Sequence, residues 1–402
     1  MSSLQRRDDS SGEQRATALE LFYDLVFVFA ITQVSHVLLE HLTWVGVGQS
    51  VFVLLVVWWS WNYTTWVTNE LNTDATIVRL LLIALMLGGL IMAVSIPEAF
   101  GERSLLFAAS YVAIQVGRHL FLTFVAADAG TVERERSFHI LVWFIAAGVL
   151  WISGALIGGA MMIVFWLAAL TLDYAAPLAT YWVPGRQRLS GETWNVGTGH
   201  FAERFQLFII IALGETVVIT GATTSELDLD TARIAAFATA FLSTAAFWWL
   251  YFGYVARIAE RRLEIAPNRT LLARDGYTYL HVLMVAGIIL SAVGDELIIA
   301  HPTEVLPPPE VAVVAAGPAL YLSAHTLFRI RMTGTFGLKR PVGAVACVAV
   351  GFIGLFVPAL VLAALLIGVL VTVIAAEYTT ASRMKSRGEP TPLEKLESSP
   401  VK

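Results

Sequence analysis

The chain carries one cysteine, Cys347, among 402 residues. That excludes an intramolecular disulfide, and it excludes zinc or redox centres built from thiolates, which need several cysteines. Its expected role is that of a small core residue. Charge is scarce too: Asp, Glu, Lys and Arg make up 14% of the residues, far below the balance of a soluble globule. No glycine-rich phosphate loop, no Ser-His-Asp order and no nucleic-acid patch is present. His36, His41, His281 and His301 are scattered without ligand spacing, so neither a metal nor a cofactor is expected. Residues 1–18 are polar and lack an apolar leader segment, which predicts no cleavable signal. The longest internal loops, residues 180–202 and 256–276, are shorter than the ~40 residues that an independent domain usually needs. Any activity is expected among the apolar segments.

Those segments dominate. Apolar residues form 57% of the chain and the mean hydropathy is +0.71, which places the protein in a lipid bilayer. A helix needs about 20 residues to cross ~30 Å of hydrocarbon. Twelve runs come close to that length: residues 19–39, 46–67, 77–96, 104–126, 138–157, 159–179, 205–222, 232–254, 277–298, 311–328, 341–357 and 358–376. The fifth and sixth are separated only around Gly154 to Gly159, and the last two only around Gly354 and Pro358; each fused run is too long for one crossing, so a tight hairpin is expected. With a cytoplasmic start, all Lys and Arg residues except Arg103, Arg118 and Arg233 fall in inside segments, Arg6, Arg7 and Arg15 among them. The positive-inside rule therefore predicts a multi-pass inner-membrane protein with both termini in the cytoplasm.

The chain also looks duplicated. Residues 20–27 open the first apolar run and Glu203-Arg204-Phe205-Gln206-Leu207-Phe208 opens the seventh; Trp58-Trp59 has a counterpart in Trp248-Trp249, Glu98 in Glu296, His119 in His325 and Asp173-Tyr174 in Glu377-Tyr378. The expected fold is all-α and polytopic, with two parallel six-helix repeats. The first spans residues 19–179 and the second 204–377, joined by a cytoplasmic linker, 180–203, and flanked by a cytoplasmic N-terminal segment, 1–18, and a disordered tail, 378–402.

The run from Leu19 to Thr32, LELFYDLVFVFAIT, together with His200, Glu203-Arg204-Phe205 and Leu213-Gly214-Glu215-Thr216, resembles the bacterial low-temperature-requirement A (LtrA) family over nearly the whole chain. Gln206 stands where that pattern has a glycine. The resemblance implies a multi-pass bacterial inner-membrane protein linked to growth in the cold; it supplies no substrate. A weaker likeness is to potassium channels built from two six-helix repeats with a Phe-Ser-Asp motif. Phe22-Tyr23-Asp24 is only similar to that motif, and the second repeat lacks the aspartate.

Ionisable residues inside hydrocarbon are costly unless paired, hydrated or neutral, and so point to function. Glu20 and Asp24 lie four apart on one face of the first helix. Arg118 and His119 fall in the fourth, Asp173 and Glu377 toward the inner ends of the sixth and twelfth, and Glu203 at the start of the seventh. The expected pairing is Arg118 with Asp24 or Asp173, which would serve equally to orient helices or to handle a charge. Glu215 lies twelve residues past Glu203, ~18 Å along the axis at 1.5 Å per residue and so near the bilayer midplane. With Thr216 beside it, Glu215 is the leading candidate to bind a proton or cation, a protonated structural glutamate being the plain alternative. Glu98, Asp295 and Glu296 sit at outer helix ends, where interface solvation or a cation vestibule is expected. Trp58 and Trp248 are candidates for an aromatic cage, against the commoner roles of packing and interfacial anchoring.

Three functional classes follow. A secondary transporter or channel for a proton-coupled small solute or ion is favoured. A membrane-embedded enzyme acting on lipid would need a recognisable carboxylate or metal signature. A sensor or assembly protein would use its intramembrane charges only structurally. The expected partners are the lipid bilayer, the solute or ion, and a possible second copy of the chain; no nucleic acid is expected.

Overall fold

The computed structural model describes residue 4, residues 16–189, residue 194 and residues 197–398. Arg6, Arg7 and Arg15, most of the N-terminal segment, parts of the linker and the end of the tail lie outside the described residues. Within them the protein is helical and contains no strand.

The helices are α1 (Ala18–Glu40), α2 (Trp44–Thr68), α3 (Thr76–Ser95), α4 (Ser104–Phe121), α5 (Val132–Ile157), α6 (Gly159–Ala175), α7 (Thr198–Ser225), α8 (Thr231–Leu250), α9 (Ala256–Glu264), α10 (Arg269–Leu272), α11 (His281–Ala300), α12 (Pro308–Thr333), α13 (Lys339–Gly354), α14 (Ala359–Ser386) and α15 (Pro392–Glu397). Among the described residues, ten helical stretches are long and apolar enough to cross a membrane. In two of them π-helical turns, Tyr251–Val255 and Ala273–Leu280, fuse α8 to α9 and α10 to α11. Helices α6 and α13 coincide with the sixth and eleventh apolar runs but have only 17 and 16 residues, ~25 Å of helix against ~30 Å of hydrocarbon.

Local chemistry accounts for the ends. The α5–α6 hairpin turns at Gly158 and Gly159, both at positive φ (72° and 58°), a conformation that a side chain would strain. Between α13 and α14 the chain breaks before Pro358, which cannot continue a helix. Thr131 caps α5 and Asp230 caps α8 through side-chain bonds to the backbone N–H three residues on. The tail departs from expectation. Instead of disorder after Glu377, α14 continues to Ser386, and α15 follows behind a capping box in which Thr391 and Glu394 satisfy each other's backbone N–H groups.

The chain divides into two compact units. The first holds residues 1–34 and 52–201, the second 35–51 and 202–402, so the boundary falls in the first turn of α7 rather than at the end of the linker. The first unit packs around aromatic rings: Trp58, Trp59, Trp61, Trp151 and Trp166 are all buried, Phe52 stacks on Trp166, and Trp59 stacks on Tyr174 with centroids 3.8 Å apart. The second packs backbone against backbone. A Cβ on Gly287 would lie 2.8 Å from the Tyr321 nitrogen, and one on Gly294 would lie 3.0 Å from the Val314 Cα. Where lipid is as apolar as leucine, such close approach is what holds helices together. In α3, Leu80, Leu87 and Val94 are exposed while Val78, Leu82 and Met86 are buried; beyond Arg79 in its first turn the helix is apolar all round, as a lipid-facing helix must be.

Candidate functional site

In the first unit, Tyr111, Gln115, Arg118 and His119 of α4 are buried and fall at i, i+4, i+7 and i+8, one face of a helix. Helix α2 meets that face with Ser60 and Thr64. The Arg118 guanidinium donates to the Ser60 carbonyl at 3.3 Å, to the Thr64 hydroxyl at 3.0 Å and to Gln115 Oε1. Tyr63 and Phe144 place their rings 5.3 and 5.9 Å from its central carbon, within cation–π reach. Tyr23 donates to Thr64 at 2.8 Å, so a hydroxyl chain from α1 supports the same point.

Arg118 does not form the expected ion pair with Asp24 or Asp173. Among the described residues no carboxylate lies within ion-pair distance of Arg118. The acids assigned to it are taken by neutral donors: Asp24 accepts from Trp61 Nε1 at 2.7 Å, and one oxygen of Asp173 accepts from Tyr111 at 2.9 Å and Trp151 Nε1 at 3.1 Å. Helical spacing fixes why. Trp61 and Tyr111 are bulky, buried and on the faces turned toward these acids, so the carboxylates are reached by an indole or phenol before a guanidinium. Arg118 Nε, Ser60 Oγ, His119 Nε2 and the second Asp173 oxygen are buried with no hydrogen-bond partner among the described residues. Buried polar atoms are normally satisfied; these four, on α2, α4 and α6, are unspent hydrogen-bonding capacity in the interior of the first unit.

Two backbone irregularities frame it. Immediately after His119, α4 runs into a π-helical turn, Leu122–Ala126, a feature found often at functional sites. Thr180 and Tyr181 both sit at φ 51°, a conformation that costs a non-glycine residue roughly 1–3 kcal/mol and persists where contacts enforce it. Tyr181 is held by a 2.5 Å bond between its hydroxyl and that of Tyr63, and by His139 Nδ1 on its carbonyl at 3.1 Å. His119 itself reaches Ser137, which Thr123 also contacts.

Glu20 is fully buried at the start of α1, where it caps Thr17 and meets His200 at 3.0 Å; the other His200 nitrogen lies 3.3 Å from Asn69 Oδ1. Beyond α2, Glu70 pairs with Arg136, whose guanidinium covers the Trp194 ring at 4.3 Å. Burial nevertheless pushes the Glu70 carboxyl above its ordinary range. Glu98 is exposed and bridges to Arg103 at 3.4 Å.

The second unit distributes its polar groups differently. Glu215 is buried on α7; the next residue, Thr216, shares a hydroxyl bond of 2.7 Å with Thr244 of α8. Glu203 is half-buried. Glu377 grips the Arg340 guanidinium with both oxygens, at 2.8 and 3.0 Å, and Arg340 also donates to the Leu250 carbonyl. His281 lies between Tyr251, at 2.9 Å, and the Gly276 carbonyl, at 3.2 Å; His325 packs edge-on to Tyr251 and Tyr321. A cavity opens beside Asp295, which is buried; Glu296, next to it, is half-buried and does not line that cavity. Trp58 is buried against Trp61 whereas Trp248 is 47% exposed, so the two do not share the environment expected of equivalent cage walls. Among the described residues no cluster of His, Cys, Asp and Glu is placed to hold a metal ion.

Sequence reasoning singled out Arg118, His119 and Asp173 but missed Tyr111, Gln115 and Trp151. The first two were legible as earlier turns of the Arg118 face; Trp151, on another helix, carried no such signal.

Comparison with known proteins agrees over most of the chain. Residues 15–375 match the family model described as bacterial low temperature requirement A protein (LtrA). An uncharacterized protein of Rhizobium meliloti (strain 1021) is 35% identical over 336 residues, 83% of this chain and 79% of that protein. No solved structure matches.

Proposed function

The chain belongs to the bacterial low temperature requirement A (LtrA) family, and from that footing we propose that it is a secondary transporter or channel which moves a small solute or ion together with a proton. One observation carries the reading: Arg118 and Asp173 are both buried in the first unit, and neither neutralises the other. A charge kept only to orient helices is cheapest when paired in place, because separated charges each carry their own desolvation cost. Kept apart, Arg118 offers a guanidinium to the acceptor end of a solute, with the Ser60 hydroxyl as a further donor. Asp173, with one oxygen unbonded, is the residue that would take up the coupled proton; Glu215 is its candidate counterpart in the second unit. Twelve crossings, two parallel repeats and both termini in the cytoplasm belong to the same proposal, supported by the positions of the arginines.

The test is flux in proteoliposomes carrying an interior pH dye, screened with small anions, cations and zwitterions. Wild type should acidify or alkalinise with one solute class. Arg118→Met should lose solute dependence, and Asp173→Asn should lose the pH signal while still binding solute. Folded Arg118→Met protein with unchanged flux, or wild type silent to every solute and to passive ion current, would sink the reading and favour a non-transporting role.

A further inference from the structure

The cavity of the second unit lies among α8, α11, α12 and α14, and every polar group that lines it presents oxygen. Helix α8 contributes Thr239 and Ser243, and α11 contributes Ser291 and Asp295. Ser291 and Asp295 are four residues apart, so they share a face, and that face is pressed onto α12 by the glycines that flank it: a Cβ on Gly317 of α12 would come within 2.7 Å of the Ser291 nitrogen. Asp295 is 8% exposed, and its Oδ2, like the Ser291 hydroxyl, has no hydrogen-bond partner among the described residues. The Thr239 hydroxyl gives its proton to the Ala236 carbonyl, leaving its lone pairs available. On α12, Pro318 lines the cavity together with Val314. Proline has no N–H, so it cannot supply the donor that the carbonyl four residues earlier, that of Val314, receives in a regular helix. The water-accessible volume is about 20 Å³, room for one or two small occupants.

We propose that this cavity binds one dehydrated monovalent cation of about sodium's size, with the Asp295 carboxylate and the Ser291, Ser243 and Thr239 hydroxyl oxygens as its ligands. Oxygen donors suit a hard cation. Among the described residues Asp295 is the one charged residue lining the cavity, so a single positive charge leaves the site neutral, whereas a divalent ion would leave a net charge in an apolar surround, which is costly. Unlike the proposed flux through the first unit, this is a claim about binding alone. It stands whether or not the protein moves a solute.

Binding to the folded state raises its stability by mass action. Purified full-length protein, titrated with NaCl against choline chloride at constant ionic strength, should therefore show a saturating rise in its unfolding midpoint. Asp295→Asn should abolish the sodium dependence. Ser291→Ala, which removes one neutral ligand, should weaken apparent affinity by about tenfold, the factor that corresponds to ~1.4 kcal/mol. Because either variant could be unstable, wild-type protein provides a second measurement: modification of Asp295 by a hydrophobic carbodiimide, mapped by mass spectrometry, should be slowed by sodium and not by choline. A midpoint that ignores sodium, a sodium effect that survives in folded Asp295→Asn, or labelling of Asp295 indifferent to sodium overturns the proposal; the last of these would make the site one for a proton or water.

Discussion

Among the described residues each unit buries two arginines, Arg118 and Arg136 in the first and Arg204 and Arg340 in the second, and Arg118 and Arg340 are satisfied in opposite ways. Arg340 in the second unit is clasped by both oxygens of Glu377, whereas Arg118 in the first rests on a hydroxyl, a carbonyl, an amide and two aromatic faces, with no carboxylate of the described residues beside it. The same contrast runs through the packing. Aromatic rings fill the first unit, while glycines draw α11 and α12 of the second unit together until backbone meets backbone. A charge closed by its counter-charge is a clamp; a charge held by dipoles can still accept a partner. Burial alone therefore does not separate structural from functional arginines, and the identity of the partner does.

That distinction breaks most sharply at the arginines themselves. Arg340→Ala should leave Glu377 without its cation and destabilise the protein by about 2–4 kcal/mol, the lower part of the range reflecting the partial exposure of Glu377. Arg118→Met orphans no carboxylate and should cost only about 1 kcal/mol, the worth of exchanged neutral hydrogen bonds. Cys347 is buried in α13, so a thiol-reactive fluorophore that lights up on unfolding measures both. Equal losses would erase the contrast.

The packing difference is tested by adding one methyl group. Gly317→Ala drives a Cβ against the Ser291 backbone, which cannot move aside, and should cost ~1–3 kcal/mol. Gly88→Ala in α3 meets only the side chain of Ile114 at 2.9 Å, which can change rotamer, and should cost less than half as much. The thermal midpoint of each variant decides this; a larger loss at Gly88 would contradict the assignment of backbone-to-backbone packing to the second unit.

The smallest effects sharpen the comparison at single hydrogen bonds. Thr216→Val removes the bond to Thr244 and should cost about 1 kcal/mol, as should Trp151→Phe, which removes a donor from Asp173. Only the second should alter proton-coupled flux if Asp173 carries the proton. Flux altered by Thr216→Val and untouched by Trp151→Phe would move the weight from Asp173 to Glu215.

Much of the helical layout was legible in the sequence, because a bilayer imposes a length on any helix that crosses it and punishes a charge that enters it. The α5–α6 hairpin followed from Gly158-Gly159 and the α13–α14 break from Pro358. The tail is helical for a local reason that apolar runs do not signal: Thr391 and Glu394 form a capping box. Similarity in sequence was a poorer guide to environment, since Trp58 and Trp248 occupy matching places in the duplicated pattern, yet one is buried and the other faces outward.

By itself the sequence determined that this is a helical membrane protein, where most of its helices begin and end, and which ionisable residues lie within them, since each of these follows from composition and spacing along one chain. Only the tertiary structure decided that Arg118 meets Thr64 and Gln115 instead of Asp24 or Asp173, that Glu377 belongs to Arg340, and that Asp295 faces a cavity with Ser291. The reason is physical. Periodicity assigns a residue to a face of its own helix, but which group it meets across the gap depends on the axial shift, rotation and approach of a second helix, and those are set by the packing of every side chain between them.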